Sequence, residues 1–199
     1  LWEKIFYIFL LLIIFMITLN YAKNYHGIKE SFDKRGELVV KKGNNIYDDF
    51  YANIYDKLVF CQQKNEFELG TIKNITKLSK TSNILDIGSG TGHHVAEFTK
   101  KGYKAQGIDI SPAMVKISKE KYPSDKYSIS DALNGMTFPQ QSFTHLTCLY
   151  FTIYYIENKR QFFENCYNWL VPGGYLILHL VDRDNFDPIL PAGDPLTII

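Results

Sequence analysis

The residues best placed to do chemistry lie in one run, Ile84-Leu85-Asp86-Ile87-Gly88-Ser89-Gly90-Thr91-Gly92-His93-His94. A short apolar strand enters a glycine-rich turn and leaves as a helix. That arrangement brings backbone N–H groups and the positive end of a helix up to a ligand. Dinucleotides bind to turns of this shape, but here the spacing is GxGxG, and Val95 fills the last position of the GxGxxG/A frame. The carboxylate of Asp86, two residues before the first glycine, repels a pyrophosphate. Beside a ligand carrying an ammonium and a sulfonium the same charge is attractive.

Two more carboxylates follow at the ends of expected strands: Asp109 in Gly107-Ile108-Asp109-Ile110-Ser111, and Asp131 in Ser130-Asp131-Ala132. Taken singly, each reads as a solvated strand end. Taken in order with the glycine turn, and with Phe138-Pro139, Ser142-Phe143 and Leu170-Val171-Pro172-Gly173-Gly174, they make residues 47–182 resemble the class I S-adenosylmethionine-dependent methyltransferases. The resemblance implies a Rossmann-like, doubly wound, mostly parallel α/β sheet, S-adenosylmethionine as cofactor, and methyl transfer to an acceptor. It places Asp86, Gly88, Ser89, Gly90 and Gly92 in the cofactor cradle. Asp109 would accept both ribose hydroxyls, Ile110 and Met114 would pack on the adenine, and Asp131, with Ala132 beside it, would meet the adenine amine. Tyr51, with Tyr47 and Tyr55, reads equally as a lid over the cofactor or as the core face of a helix.

The acceptor side is thinly marked. Tyr150, Phe151 and Thr152 fall where the fourth strand ends, on the rim where open parallel sheets bind ligands. His179, on the fifth strand, is a weaker candidate base, since a lone His among apolar neighbours is more often a satisfied core residue. His93 and His94 are adjacent on a helix start and cannot share a metal at that spacing, and no metal site is expected. Thr144 stands where the family usually carries Asp, a departure that leaves the cradle untouched.

These residues need elements to hold them. Strands are expected at residues 83–87, 104–108, 127–130, 143–150 and 175–181, with helices at 92–101, 112–122 and 159–170. Ser111 and Pro112 mark a helix start as N-cap and first-turn proline. Strand and helix in alternation mean a parallel sheet covered on both faces. Ahead of them, helices are expected at 47–60, with Tyr47, Phe50, Tyr51, Ile54, Tyr55 and Leu58 on one broad face, and at 66–78.

From residue 5 to residue 22 no side chain is charged, and eighteen residues make a helix of about 27 Å, enough to cross a bilayer. Residues 1–23 therefore read as a transmembrane anchor, 24–46 as a juxtamembrane linker and 47–199 as the methyltransferase domain. The basic residues Lys23, Lys29, Lys34, Arg35, Lys41 and Lys42 follow the segment, against Lys4 before it, so the domain is expected to face the cytoplasm. An Asn74-Ile75-Thr76 sequon argues weakly the other way and reads as unused. An anchor points to a lipid or membrane-associated acceptor, with a soluble small molecule still open.

The chain opens on Leu1 and has 199 residues, and only about eighteen follow the fifth strand. With Pro188, Pro191 and Pro195 among them, these cannot supply the helix and reversed hairpin the family adds. The domain reads as cut short at its C-terminus, with an edge strand uncovered. A net charge of +1 excludes a global field for nucleic acid. Three widely spaced cysteines, Cys61, Cys148 and Cys166, read as small buried thiols in a reducing compartment. Two other functions stay open: a catalytically inactive membrane-tethered interaction module, and a nicotinamide-dependent oxidoreductase, which Asp86 and the glycine spacing oppose.

Overall fold

The computed structural model describes residues 13–18, 41–182 and 184–185, and the chain divides into two units, Leu1–Val40 and Lys41–Ile199. In the first unit, residues 13–18 are helical and exposed. The rest of the expected anchor, residues 24–40 of the expected linker, and the tail from residue 186 lie outside the described residues. Among those described, no helix is long and apolar enough to cross a membrane.

The second unit opens with a 3-10 turn, Gly43–Ile46, and two helices, α1 (Asp49–Val59) and α2 (Gln62–Thr76). Strand and helix then alternate: β1 (Asn83–Ile87), α3 (His93–Lys100), β2 (Lys104–Asp109), α4 (Pro112–Lys121) and β3 (Lys126–Ile129), followed by β4 (Phe143–Cys148), α5 (Lys159–Trp169) and β5 (Leu170–Leu178). The strand order is β3-β2-β1-β4-β5, and every pairing is parallel. Chain direction across the sheet reverses between β1 and β4, and the crevice at such a switch point is where open α/β sheets bind ligands.

Alternation along β1 divides the core. Leu85 and Ile87 pack on one face with Phe143, Leu146, Phe162 and Trp169, under α5. Ile84 packs on the other with Leu69, Val95, Phe98 and Val115, under α2, α3 and α4. Side chains alternate at period two, so a strand buried on both sides must be apolar at successive positions. Asp86, buried in mid-strand, breaks that rule.

Helix starts are capped by side chains. Ser111 accepts the Met114 N–H at 3.2 Å, Asp48 that of Tyr51 at 2.9 Å and Asn158 that of Gln161 at 3.1 Å. Each cap stabilises by about 1 kcal/mol. Thr144 binds both the N–H (2.9 Å) and the carbonyl (3.1 Å) of Asn83, tying β4 to the start of β1.

Several expectations need correction. The face of α1 is narrower than its aromatic periodicity implies: Phe50 and Leu58 are exposed and Ala52 is the buried residue. Tyr47 precedes that helix, which begins after the Asp48 cap. Part of the expected linker forms the 3-10 turn. α2 starts at Gln62 and buries Asn65 among its inner residues, while Phe67 and Ile75 are exposed. β4 stops at Cys148 because Tyr150 and Phe151 adopt left-handed φ of 49° and 63°. β5 starts earlier than residue 175. Phe143 pairs with Leu170 and His145 with Tyr175, so the Val171–Gly174 turn is a bulge within the strand. Cys61 is exposed, unlike the buried Cys148 and Cys166.

Candidate active site

A cavity of about 400 Å³ opens at the C-terminal ends of β1, β2 and β4. Asp86, Gly88, Ser89 and Gly90 line it from β1 and the glycine turn, Asp109, Ile110 and Met114 from β2 and α4, and Asp131 and Ala132 from the loop after β3. Tyr150 lines it from the loop after β4. Four of the expected residues, Gly92, Tyr51, Phe151 and His179, do not line it. Gly92 caps α3 at φ 91°, and a Cβ there would stand 2.7 Å from the Tyr127 ring, so its smallness serves packing. Tyr51 sits between Tyr47 and Tyr55, at ring distances of 5.6 and 5.8 Å, and only its two neighbours reach the cavity. His179 lies behind the wall, its ring 4.2 Å from that of Phe151.

The turn is shaped by backbone. The N–H groups of Gly88 and Ser89 both donate to the Ile108 carbonyl, at 2.8 and 3.0 Å, which ties the turn to β2. Gly88 has φ 71°, and a Cβ there would collide with the Thr152 side chain. Asp109 Oδ2 accepts the Gly90 N–H at 2.9 Å and Oδ1 accepts the Ser111 N–H at 2.8 Å. One carboxylate therefore fixes the turn and the start of α4 together.

Of the two carboxylates at the turn, Asp86 is buried and Asp109 half-buried. Desolvation raises Asp86 above the usual carboxylate range, opposed by the nearby His94 and by the Thr147 hydroxyl, which donates to Oδ1 at 2.6 Å. Burial likewise raises Asp109, opposed by backbone donors from Ser111, Gly90 and Ile110. Asp131 and Glu157 also line the cavity, and among the described residues no lysine or arginine does. The donor set therefore suits a cationic ligand with hydroxyls to bind and repels an anionic one. An adenosyl group bearing a sulfonium and an ammonium fits that chemistry.

The N-terminal helices roof the site, with features that the sequence reading missed. Ser111 Oγ donates to the Tyr47 carbonyl at 2.6 Å. Asp56 of α1 accepts the Thr91 hydroxyl at 2.6 Å, pairs with Lys121 of α4, and lies 2.9 Å from His93 Nε2. His93 stacks on Phe60 at 3.7 Å, and burial, then the neighbouring His94, lowers its ring to about 4. Tyr155 meets Tyr47 edge-on at 5.6 Å, closing the roof against the loop after β4. His94 also lines the cavity, with its Nε2 3.0 Å from Glu68 Oε2. Burial raises the Tyr150 phenol to about 12, so it stays neutral. Asp56, Glu68 and Tyr155 carry no local motif; each acquires its partner only through the fold.

Comparison with known proteins gives the same picture. A family model described as "Methyltransferase domain" matches residues 85–178. The chain is 29% identical over 157 residues to a phosphoethanolamine N-methyltransferase of Plasmodium falciparum, covering 72% of this chain and 58% of that one. It is 35% identical over 104 residues to a demethylmenaquinone methyltransferase of Chlorobaculum parvum, covering 51% and 42%. The chain thus spans less than two thirds of the curated relatives it matches. In fold it is similar to a Haemonchus contortus phosphoethanolamine N-methyltransferase 2 solved with phosphomonomethylethanolamine and S-adenosylhomocysteine. The TM-score is 0.60 at 23% identity, over 67% of this chain and 33% of that one.

Proposed function

Residues 85–178 matching a methyltransferase-domain model, we propose that this chain is a class I S-adenosylmethionine-dependent methyltransferase that transfers the methyl group to a small-molecule acceptor. The observation that carries the reading is the pair of carboxylates, buried Asp86 and half-buried Asp109, facing a cavity that no described lysine or arginine lines. Relatives named for phosphoethanolamine and for demethylmenaquinone support an acceptor of small size.

When bound, S-adenosylmethionine supplies an electrophilic methyl on a sulfonium. The chain's own contribution is placement and dryness. Asp86 would take the ammonium of the amino acid end and Asp109 the ribose hydroxyls. Gly88 and Gly90 would let the ligand approach the backbone closely, and Ile110 and Met114 would flank the base. Tyr47 and Tyr55 would cover it. The uncharged run at residues 5–22 supports a further element of the proposal, a single-pass anchor with the domain on the cytoplasmic side, which would favour an acceptor at a membrane.

Calorimetric titration of the chain with S-adenosylmethionine and S-adenosylhomocysteine tests the reading, with circular dichroism to establish folding. Micromolar binding is expected, weakened about 10- to 100-fold in Asp109→Ala by loss of charge-assisted hydrogen bonds. A folded chain that binds neither ligand would leave the interaction module as the better account.

A further inference from the structure

Glu68 and His94 come from different helices, 26 positions apart in sequence, and meet at the cavity wall. His94 Nε2 lies 3.0 Å from Glu68 Oε2, and its Nδ1 has no hydrogen-bond partner among the described residues. A carboxylate on one ring nitrogen fixes the ring and its tautomer, leaving the other nitrogen to accept. Behind the pair, Glu68 Oε1 lies 3.8 Å from His179 Nδ1 and 3.9 Å from Lys64 Nζ. Side-chain exposure climbs from 8% at His94 through 14% at Glu68 to 27% at His179, so the cluster leads from the cavity wall towards solvent.

The ligand chemistry of this wall is also marked. Tyr150 borders His94 at a ring distance of 5.6 Å, and Lys64 Nζ stands 3.9 Å over the Tyr150 ring. An ammonium is thus already held by the aromatic face and carboxylate of this cluster. Carboxylates and tyrosines line the cavity. Aromatic faces and carboxylates together recognise ammonium groups.

We propose that the acceptor is an amine and that Glu68 and His94 are the pair that takes its proton, His94 as the base and Glu68 as the positioning residue. This rests on the methyltransferase reading above. An amine enters from water as an ammonium and cannot attack until it loses a proton. It gives that proton to His94 Nδ1. The freed lone pair then forms the bond to the methyl carbon while the sulfur–methyl bond breaks, its electron pair staying on sulfur. The products are the methylated ammonium and the neutral thioether, and the proton on His94 is stabilised by Glu68 before it leaves towards solvent.

Transfer of labelled methyl from S-adenosylmethionine by the full chain to ethanolamine, phosphoethanolamine and catechol tests this, with S-adenosylhomocysteine affinity measured in parallel. One or both amines are expected to be methylated, the two arms separating a free from a phosphorylated amine. His94→Ala is expected to lower kcat about 100-fold with S-adenosylhomocysteine affinity unchanged within about twofold, and added imidazole to restore part of the loss. Glu68→Gln, which keeps the contact but not the charge, is expected to lower kcat about tenfold with KM and S-adenosylhomocysteine affinity little changed. The other groups facing His94 stay in place: Lys64, Asp86, Tyr150, His93 and His179. An unaltered kcat in His94→Ala overturns the proposal, as does methylation of catechol alone, or of no probe by a chain that binds S-adenosylhomocysteine. Failure to bind S-adenosylhomocysteine overturns instead the reading on which it rests.

Discussion

Asp86 shows how single residues in this site trade stability for binding. Its carboxyl is buried in the middle of the central strand, and desolvation holds it above the ordinary range. A carboxyl raised in the folded state binds more protons folded than unfolded, so stability falls as pH climbs from the ordinary carboxyl value through the raised one. Asp86→Asn removes that cost and keeps an acceptor for the Thr147 hydroxyl. The variant is expected to melt above the wild type at about pH 7 and level with it at about pH 3, below the ordinary carboxyl value. Its affinity for S-adenosylmethionine is expected to fall at least tenfold, the scale of one charge-assisted contact. Thermal scans at both pH values, paired with calorimetry, decide it. A variant that melts lower at neutral pH would show that Asp86 is stabilised by partners that outweigh its burial.

Among the elements, α1 depends most on a distant side chain. Asp56 reaches Thr91 in the glycine turn and Lys121 at the end of α4, with His93 Nε2 beside it at 2.9 Å, so one carboxylate pins the roof at two points. Asp56→Ala is expected to speed release of S-adenosylhomocysteine about tenfold, with a smaller effect on association, since contact losses act mainly on release. Stopped-flow dissociation measures this directly, and an unchanged release rate would mean that α1 does not hold the roof closed. Elements set by local signals were legible in the sequence. β1 occupies residues 83–87 as its apolar run indicates, and α4 begins at Pro112 because cap and proline are written side by side. The cradle residues were legible for the same reason, with Asp86, Gly88 and Gly90 held in a five-residue stretch. Contacts made across the fold were not. Asp56 meets Thr91 across 35 positions and Glu68 meets His94 across 26, and neither pair has a spacing that a local pattern reveals. The inner face of α1 was misread because Phe50 and Leu58 match its period yet face solvent, and periodicity alone does not say which apolar residues find a neighbour.

Over the whole molecule, the site stands on a sheet buttressed from both sides. Phe162 of α5 is fully buried against the face formed by Leu85, Ile87 and Leu146. Phe162→Ala is expected to cost about 3–5 kcal/mol through lost burial and the cavity left behind. Urea denaturation of the chain measures it, and a cost under about 1 kcal/mol would mean that the layer repacks freely. The same layer supports the rim of the active site, so this variant is also expected to loosen ligand binding, though no side chain of α5 lines the cavity.

Tyr150 and Phe151 end β4 in consecutive left-handed conformations. For residues with a Cβ, each such conformation costs about 1–2 kcal/mol relative to glycine. Yet both rings are engaged: Tyr150 with His94 and Lys64, Phe151 with His179. Glycine at either position would relax the backbone, at 150 removing a ring from the cavity wall and at 151 the ring that packs on His179 behind it. In an engineering campaign scored on melting temperature alone, this two-residue corner would therefore be among the first places to improve and among the first to erase turnover. Two aromatic residues stand where the chain would bend more easily on glycine, so the cost of the site's wall is written into the backbone itself.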